Sequence, residues 1–127
     1  MKYPEVLGIN DVLPQLASFD AIIDARSPGE FAQDHLPDAI NAPVLDDEQR
    51  VRVGTMYKQI GAFEAKKLGA VLVAKNIASH IEQLWLEQPR EWRPLVYCWR
   101  GGNRSGSMAH ILSKIGWPVV QLDGGYK

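Results

Sequence analysis

Apolar positions in this chain alternate between two patterns. Compact apolar runs at Phe19-Asp20-Ala21-Ile22-Ile23-Asp24, Ala39-Ile40-Asn41-Ala42, Pro94-Leu95-Val96-Tyr97 and Val119-Val120-Gln121-Leu122 predict short strands. Between them the spacing turns helical. The longest such stretch runs from Ala62 to Gln88, where Leu68, Leu72, Ile77, Ile81, Leu84 and Trp85 form one stripe and predict a core-facing helix crossing a sheet. Met108, Ile111, Leu112 and Ile115 predict a second helix over 105–115, with Ser105 at its cap and Gly116 as its stop. Near the start, Asn10 or Asp11 is placed to cap a short helix carrying Val12, Leu13 and Leu16, which Pro14 confines to about a turn or two.

The polar positions punctuate these elements. Ser27-Pro28-Gly29-Glu30 reads as a capping box with proline at the first helical position, opening a helix with Phe31 on its inner face. His35-Leu36-Pro37-Asp38 ends that helix, and Asp46-Asp47-Glu48 opens a polar helical connector. Lys66 and Lys67 read as a solvated helix face, and His35 as a structural histidine. Strands alternating with helices predict an α/β fold with a mostly parallel central sheet flanked by helices. Ligands of such sheets bind outside the carboxyl ends of the strands.

Composition narrows the function classes. The 127 residues suit a single domain, long enough to bury roughly two thirds of the unfolded surface. The 14 Lys plus Arg against 15 Asp plus Glu give a net charge of −1, which leaves no global electrostatic footprint for nucleic acid or membrane. The single cysteine excludes an internal disulfide framework and fits a reducing compartment. No apolar run is long enough to span a bilayer, and Met1-Lys2-Tyr3-Pro4-Glu5 does not open a signal peptide, so a cytoplasmic location is expected. No Cys/His cluster has metal-ligand spacing, and neither a metal nor a cofactor is expected.

That one cysteine heads the stretch Tyr97-Cys98-Trp99-Arg100-Gly101-Gly102-Asn103-Arg104-Ser105-Gly106-Ser107. Strand, glycine-bearing loop and helix N-terminus in succession make an anion cradle, because backbone N–H groups converge and the helix dipole adds positive charge. A cysteine at the base of such a cradle is a nucleophile through its thiolate. Arg104 supplies a planar fork suited to an oxyanion, and the anion-holding loop is Trp99, Arg100, Gly101, Gly102, Asn103, Arg104 and Ser105. A cysteine after a strand is often no more than a small buried apolar residue. Two glycines, two arginines and a serine packed around this one favour chemistry.

The flanking motifs carry a family likeness. Asp24-Ala25-Arg26-Ser27-Pro28-Gly29-Glu30-Phe31 with His35-Leu36-Pro37-Asp38-Ala39-Ile40-Asn41 resembles the front signature of rhodanese-like sulfurtransferases. The cysteine loop and Leu122-Asp123-Gly124-Gly125-Tyr126 resemble their back signature. Asp38 departs from the usual glycine, but Asp tolerates the left-handed conformation better than most residues. A narrower resemblance, to the tRNA 2-selenouridine synthase family, rests on Val44-Leu45-Asp46-Asp47-Glu48, Val53-Gly54-Thr55-Met56-Tyr57-Lys58-Gln59, Phe63-Glu64-Ala65-Lys66-Lys67-Leu68-Gly69-Ala70 and the cysteine loop.

This resemblance implies a rhodanese-like fold and a transferase that replaces the sulfur of 2-thiouridine at the tRNA wobble position with selenium. Cys98 would carry the sulfur or selenium, selenophosphate would be the donor, and Asp24, Arg26 and Glu30 would support the site. In that family a P-loop domain follows and takes most of the tRNA contact. The chain contains no Gly-x-x-x-x-Gly-Lys-Ser/Thr stretch, so residues 1–127 match the front, rhodanese-like domain. Further expected partners are tRNA and selenophosphate or the enzyme that produces it, with no membrane.

Two other readings share the motif. Five residues separate Cys98 from Arg104, which is also the Cys-x5-Arg spacing of protein-tyrosine and dual-specificity phosphatases. A phosphatase needs a general acid, for which Asp46 and Asp47 are the acids at hand, and Tyr97 stands where the tyrosine-phosphatase signature has histidine. A non-catalytic rhodanese-like docking module is the other alternative. Trp99 reads either as a platform for a stacked uridine or as a loop-packing aromatic.

Overall fold

Alternating side chains of one strand, Pro94–Tyr97, divide the core of this protein in two. In the computed structural model, which describes residues 3–98 and 103–124, Leu95 and Tyr97 face one buried cluster while Val96 and Cys98 face the other. The elements in chain order are β1 (Glu5–Leu7), α1 (Ile9–Val12) running into a 3-10 segment (Leu13–Ser18), β2 (Ala21–Asp24), α2 (Pro28–Gln33) and β3 (Ile40–Asn41). There follow α3 (Asp47–Gln59), α4 (Ala62–His80) with a π-helical extension (Ile81–Trp85), β4 (Pro94–Tyr97), α5 (Asn103–Ile115) and β5 (Val120–Leu122).

The five strands make one sheet in the order β1-β5-β4-β2-β3, with every pairing parallel. The α/β class and parallel sheet read from the sequence therefore hold. The strand β1 was not foreseen, because three residues between Pro4 and Gly8 are too few to show a period; it exists by pairing with β5. Its edge position leaves Val6 exposed.

One sheet face packs on α4 and α5 through Ile23, Val96, Ile77, Trp85, Met108, Leu112 and Trp117. Val12, Phe19, Ile22, Leu36, Leu95, Tyr97 and Leu122 form the opposite cluster, with Leu16 and Phe31 against it. The α5 stripe is as predicted in its centre: Met108 and Leu112 have no exposure, whereas Ile115 is exposed beside the stop at Gly116, whose φ of 121° suits glycine. Asp38 adopts φ 66°, the left-handed conformation anticipated for it.

Three local expectations are corrected. Gly8, not Asn10 or Asp11, precedes α1, and its carbonyl accepts from the N–H groups of Asp11 and Val12. The long stripe does not lie wholly on the sheet: α4 also packs against α3, and from this stretch Val73, Ile77, Ile81 and Trp85 reach the core cluster. Leu84 is half exposed, because the π turn changes the helical phase and carries Trp85 inward. Trp85 there meets Trp92, which meets Trp117 edge-on at 4.9 Å. Finally, Ser105 lies inside the first turn of α5, which starts at Asn103, and does not cap it.

The core packing predicts that Leu112→Ala lowers the unfolding free energy by about 2–5 kcal/mol, through lost burial and the cavity left between α5 and the sheet. Urea unfolding should show a lower midpoint with an unchanged slope.

Candidate active site

Cys98 follows β4 directly, at the carboxyl end of the strand in the middle of the sheet, and is 1% exposed. Period-two alternation puts its sulfur on the α5 side. There the first turn of α5 presents Ser105, which is fully buried with its hydroxyl oxygen 3.2 Å from Cys98 Sγ. From β5, Gln121 Nε2 donates to the same hydroxyl oxygen at 3.2 Å. In the thiol state the sulfur donates to Ser105. Once the thiol has ionised, the serine O–H can turn to donate to the thiolate while Gln121 still occupies an oxygen lone pair. A Cβ at position 106 would lie 3.3 Å from Gln121 Nε2, so Gly106 leaves room for this approach. The N-terminal end of α5 also brings the positive end of a helix dipole to the sulfur.

Of the predicted loop, Trp99, Arg100, Gly101 and Gly102 lie outside the described residues. Asn103 is exposed and its carbonyl accepts from the Ser107 hydroxyl. Arg104 is turned to Glu30: Nη1 donates to Oε1 at 2.7 Å and Nη2 to Oε2 at 3.3 Å. Arg50 Nη1, from α3, donates to the same Oε1 at 2.9 Å, and Ser27 adds its backbone N–H at 3.1 Å and its hydroxyl at 2.9 Å. Burial pushes the Glu30 carboxyl up, but the Arg104 and Ser27 hydrogen bonds and the Arg104 charge outweigh it and hold the pKa at about 2.

The other predicted supports sit on the far face of the sheet end. Asp24 is fully buried and accepts from Arg26 through the backbone N–H at 2.9 Å, Nε at 3.0 Å and Nη2 at 2.8 Å. Tyr97, paired with Asp24 in the β2–β4 register, donates its hydroxyl to the same carboxylate at 2.9 Å and accepts the Leu36 N–H at 3.0 Å. Burial pushes the Tyr97 phenol well above its ordinary range, with the Asp24 charge adding to the rise, so it stays a donor. Burial disfavours the Arg26 charge, and the hydrogen bond and charge of Asp24 more than offset it. Asp24 and Arg26 thus brace the strand end, while Glu30 belongs to the Arg104 side.

The acids considered for proton transfer have other work. Asp46 caps α3 by accepting the Gln49 N–H at 2.7 Å, and Asp47 accepts the Gly29 N–H with both oxygens. His35 stacks on Phe31 at 3.7 Å and contacts its carbonyl oxygen. Among the described residues, no group of three or more His, Cys, Asp or Glu is placed to hold a metal ion, and no helix is long and apolar enough to cross a membrane. The sequence reading missed Gln121 and the role of Arg50. The one signal for Gln121 was a polar residue inside Val119-Val120-Gln121-Leu122; Arg50 carried none.

A profile of the rhodanese-like domain matches residues 10–127. The tRNA 2-selenouridine synthase of Nitrosomonas europaea is 39% identical over 128 residues, an alignment covering all of this chain and 33% of the relative. That of Proteus mirabilis is 38% identical, covering 95% of this chain and 34% of the relative. The chain thus spans about a third of the length of the curated relatives it matches. Among solved structures, the N-terminal domain of a putative ATP/GTP binding protein from Clostridium difficile superposes with a TM-score of 0.76 at 35% identity, covering 96% of this chain and 93% of that one.

Glu30 gives a pH prediction. Its folded pKa of about 2 lies below the ordinary value of 4.5, so the ionised carboxylate favours the folded state. That contribution is complete above pH 4.5 and is lost as pH falls towards 2. Glu30→Gln should be less stable than the parent at neutral pH, and the gap should close across this window in unfolding free energies measured from pH 7 downward.

Proposed function

The chain belongs to the rhodanese-like domain family, and on that footing we propose that it carries sulfur or selenium on Cys98 for tRNA 2-selenouridine synthesis. In this reading the sulfur of 2-thiouridine at the wobble position is replaced by selenium drawn from selenophosphate. The observation that carries it is the placement of Cys98 at the carboxyl end of β4, 3.2 Å from a buried serine hydroxyl at the start of α5. Relatives named tRNA 2-selenouridine synthase, 38–39% identical across nearly the whole chain, support the tRNA-modification part of this reading.

The residues support the chemistry as follows. Ser105, which accepts from the Cys98 thiol, can turn its O–H to the thiolate once that forms, and Gln121 keeps the serine aligned. With thiosulfate as donor, the thiolate attacks the outer sulfur. A Cys–S–S bond forms, the bond to the sulfonate sulfur breaks, and sulfite leaves with its electron pair. The resulting terminal anion is held by the α5 N-terminus and the Arg104 charge. A second nucleophile then collects the chalcogen.

Intact-mass measurement after incubation with thiosulfate tests the carrier. One added sulfur on the parent, absent from Cys98→Ser, is the expected result. An unmodified parent that hydrolyses an aryl phosphate in a Cys98-dependent way would replace this reading with the phosphatase one.

The charge distribution makes a second prediction, about tRNA. Non-specific affinity depends on cations free to neutralise phosphate. Net charge is −1, Arg26 is buried on Asp24, Arg50 and Arg104 share Glu30, and Lys67 pairs with Glu64. Residues 1–127 should therefore bind tRNA weakly and not modify it alone. A gel shift at near-physiological salt checks this, and tight anticodon-selective binding would contradict it.

A further inference from the structure

Glu30 has more strong donors than one carboxylate needs. Its Oε1 accepts from Arg104, Arg50 and both donors of Ser27, while the glutamate side chain is only 12% exposed. Arg104 immediately precedes in sequence the serine that touches Cys98, and its guanidinium is bonded to Glu30. An anionic donor that draws Arg104 toward itself competes with Glu30 for the guanidinium. A largely buried carboxylate deprived of its partner is strongly unfavourable, and something must hold it when Arg104 turns away.

We propose that Arg50 is a positioning residue which retains Glu30 when Arg104 is released to a dianionic chalcogen donor such as thiosulfate or selenophosphate. Arg50 is suited to this. It comes from α3, a separate element, its side chain is 41% exposed and free to adjust, and it already lies 2.9 Å from Glu30 Oε1. Ser27 completes the retained set with its N–H and hydroxyl. Glu30 thereby acts as a resident stand-in for the donor's anionic group, exchanging Arg104 with it. The α3 helix, which has no buried residue, gains a function as the carrier of Arg50.

This proposal rests on the chalcogen-carrier reading for the identity of the ligand, and its test is separated from turnover. The probe is thiosulfate, titrated by calorimetry into the Cys98→Ser chain, which cannot react. Arg50→Ala in that background should weaken binding about fivefold to tenfold, the loss of roughly one charge-assisted hydrogen bond. Arg50→Lys, which can still pair with Glu30, should recover most of it.

The deciding measurement is the double-mutant cycle. With Glu30→Gln, no buried charge needs holding, so adding Arg50→Ala should change the affinity less than about twofold. An equal loss in both backgrounds would make Arg50 a direct donor contact and overturn the proposal. So would an Arg50→Ala protein with lowered thermal stability but unchanged affinity, or undetectable binding to the Cys98→Ser chain. If that chain binds thiosulfate in an Arg50-dependent way while the Cys98 protein acquires no sulfur, the carrier reading fails and this one stands.

Discussion

The carboxylate of Asp24 has no access to water, and the end of the sheet is built around that fact. A buried charge is tolerated when it is paired and fully hydrogen-bonded. Here Arg26 wraps back from two residues along, and the Tyr97 hydroxyl arrives from the neighbouring strand. The second contact matters most for the site, because Tyr97 immediately precedes Cys98. By tying Tyr97 to Asp24 and to the Leu36 N–H, the network fixes where β4 ends and therefore where the sulfur emerges on the opposite face.

A second carboxylate, Glu30, does a different job with a similar number of partners. It joins three elements at once: its own helix through Ser27, α3 through Arg50 and α5 through Arg104. Asp47 strengthens the same junction by accepting the Gly29 N–H across from α3 to α2. The α3–α4 pair otherwise stands apart from the sheet along its first part, with Val51, Tyr57, Ile60 and Phe63 exposed. Its attachment to the site is thus chiefly ionic and capping in character, whereas the attachment of α5 is apolar, through Met108 and Leu112.

Much of this was readable one element at a time. Strands β2, β4 and β5 appear as compact apolar runs, α2 announces itself by Ser27-Pro28-Gly29-Glu30, and α5 by the spacing of Met108 and Leu112 ahead of Gly116. The family motifs named the fold and pointed to Asp24, Arg26, Glu30 and Cys98. Local patterns failed where length or context ruled. The strand β1 is too short to show a period, and the helix from Ala62 changes phase at its π turn.

By itself, the sequence determined the α/β class, the parallel sheet and the position of Cys98 at a strand's carboxyl end, because these follow from apolar periodicity and turn chemistry within a few residues. Tertiary structure alone decided that Ser105 turns inward to the sulfur, that Gln121 reaches it from another strand, and that Glu30 gathers arginines from 20 and 74 residues away. Such contacts depend on strand order and helix packing, which place distant side chains within hydrogen-bond reach. A serine that caps a helix and one that points into the core are spelled the same way; burial beside the strand end is what distinguishes them.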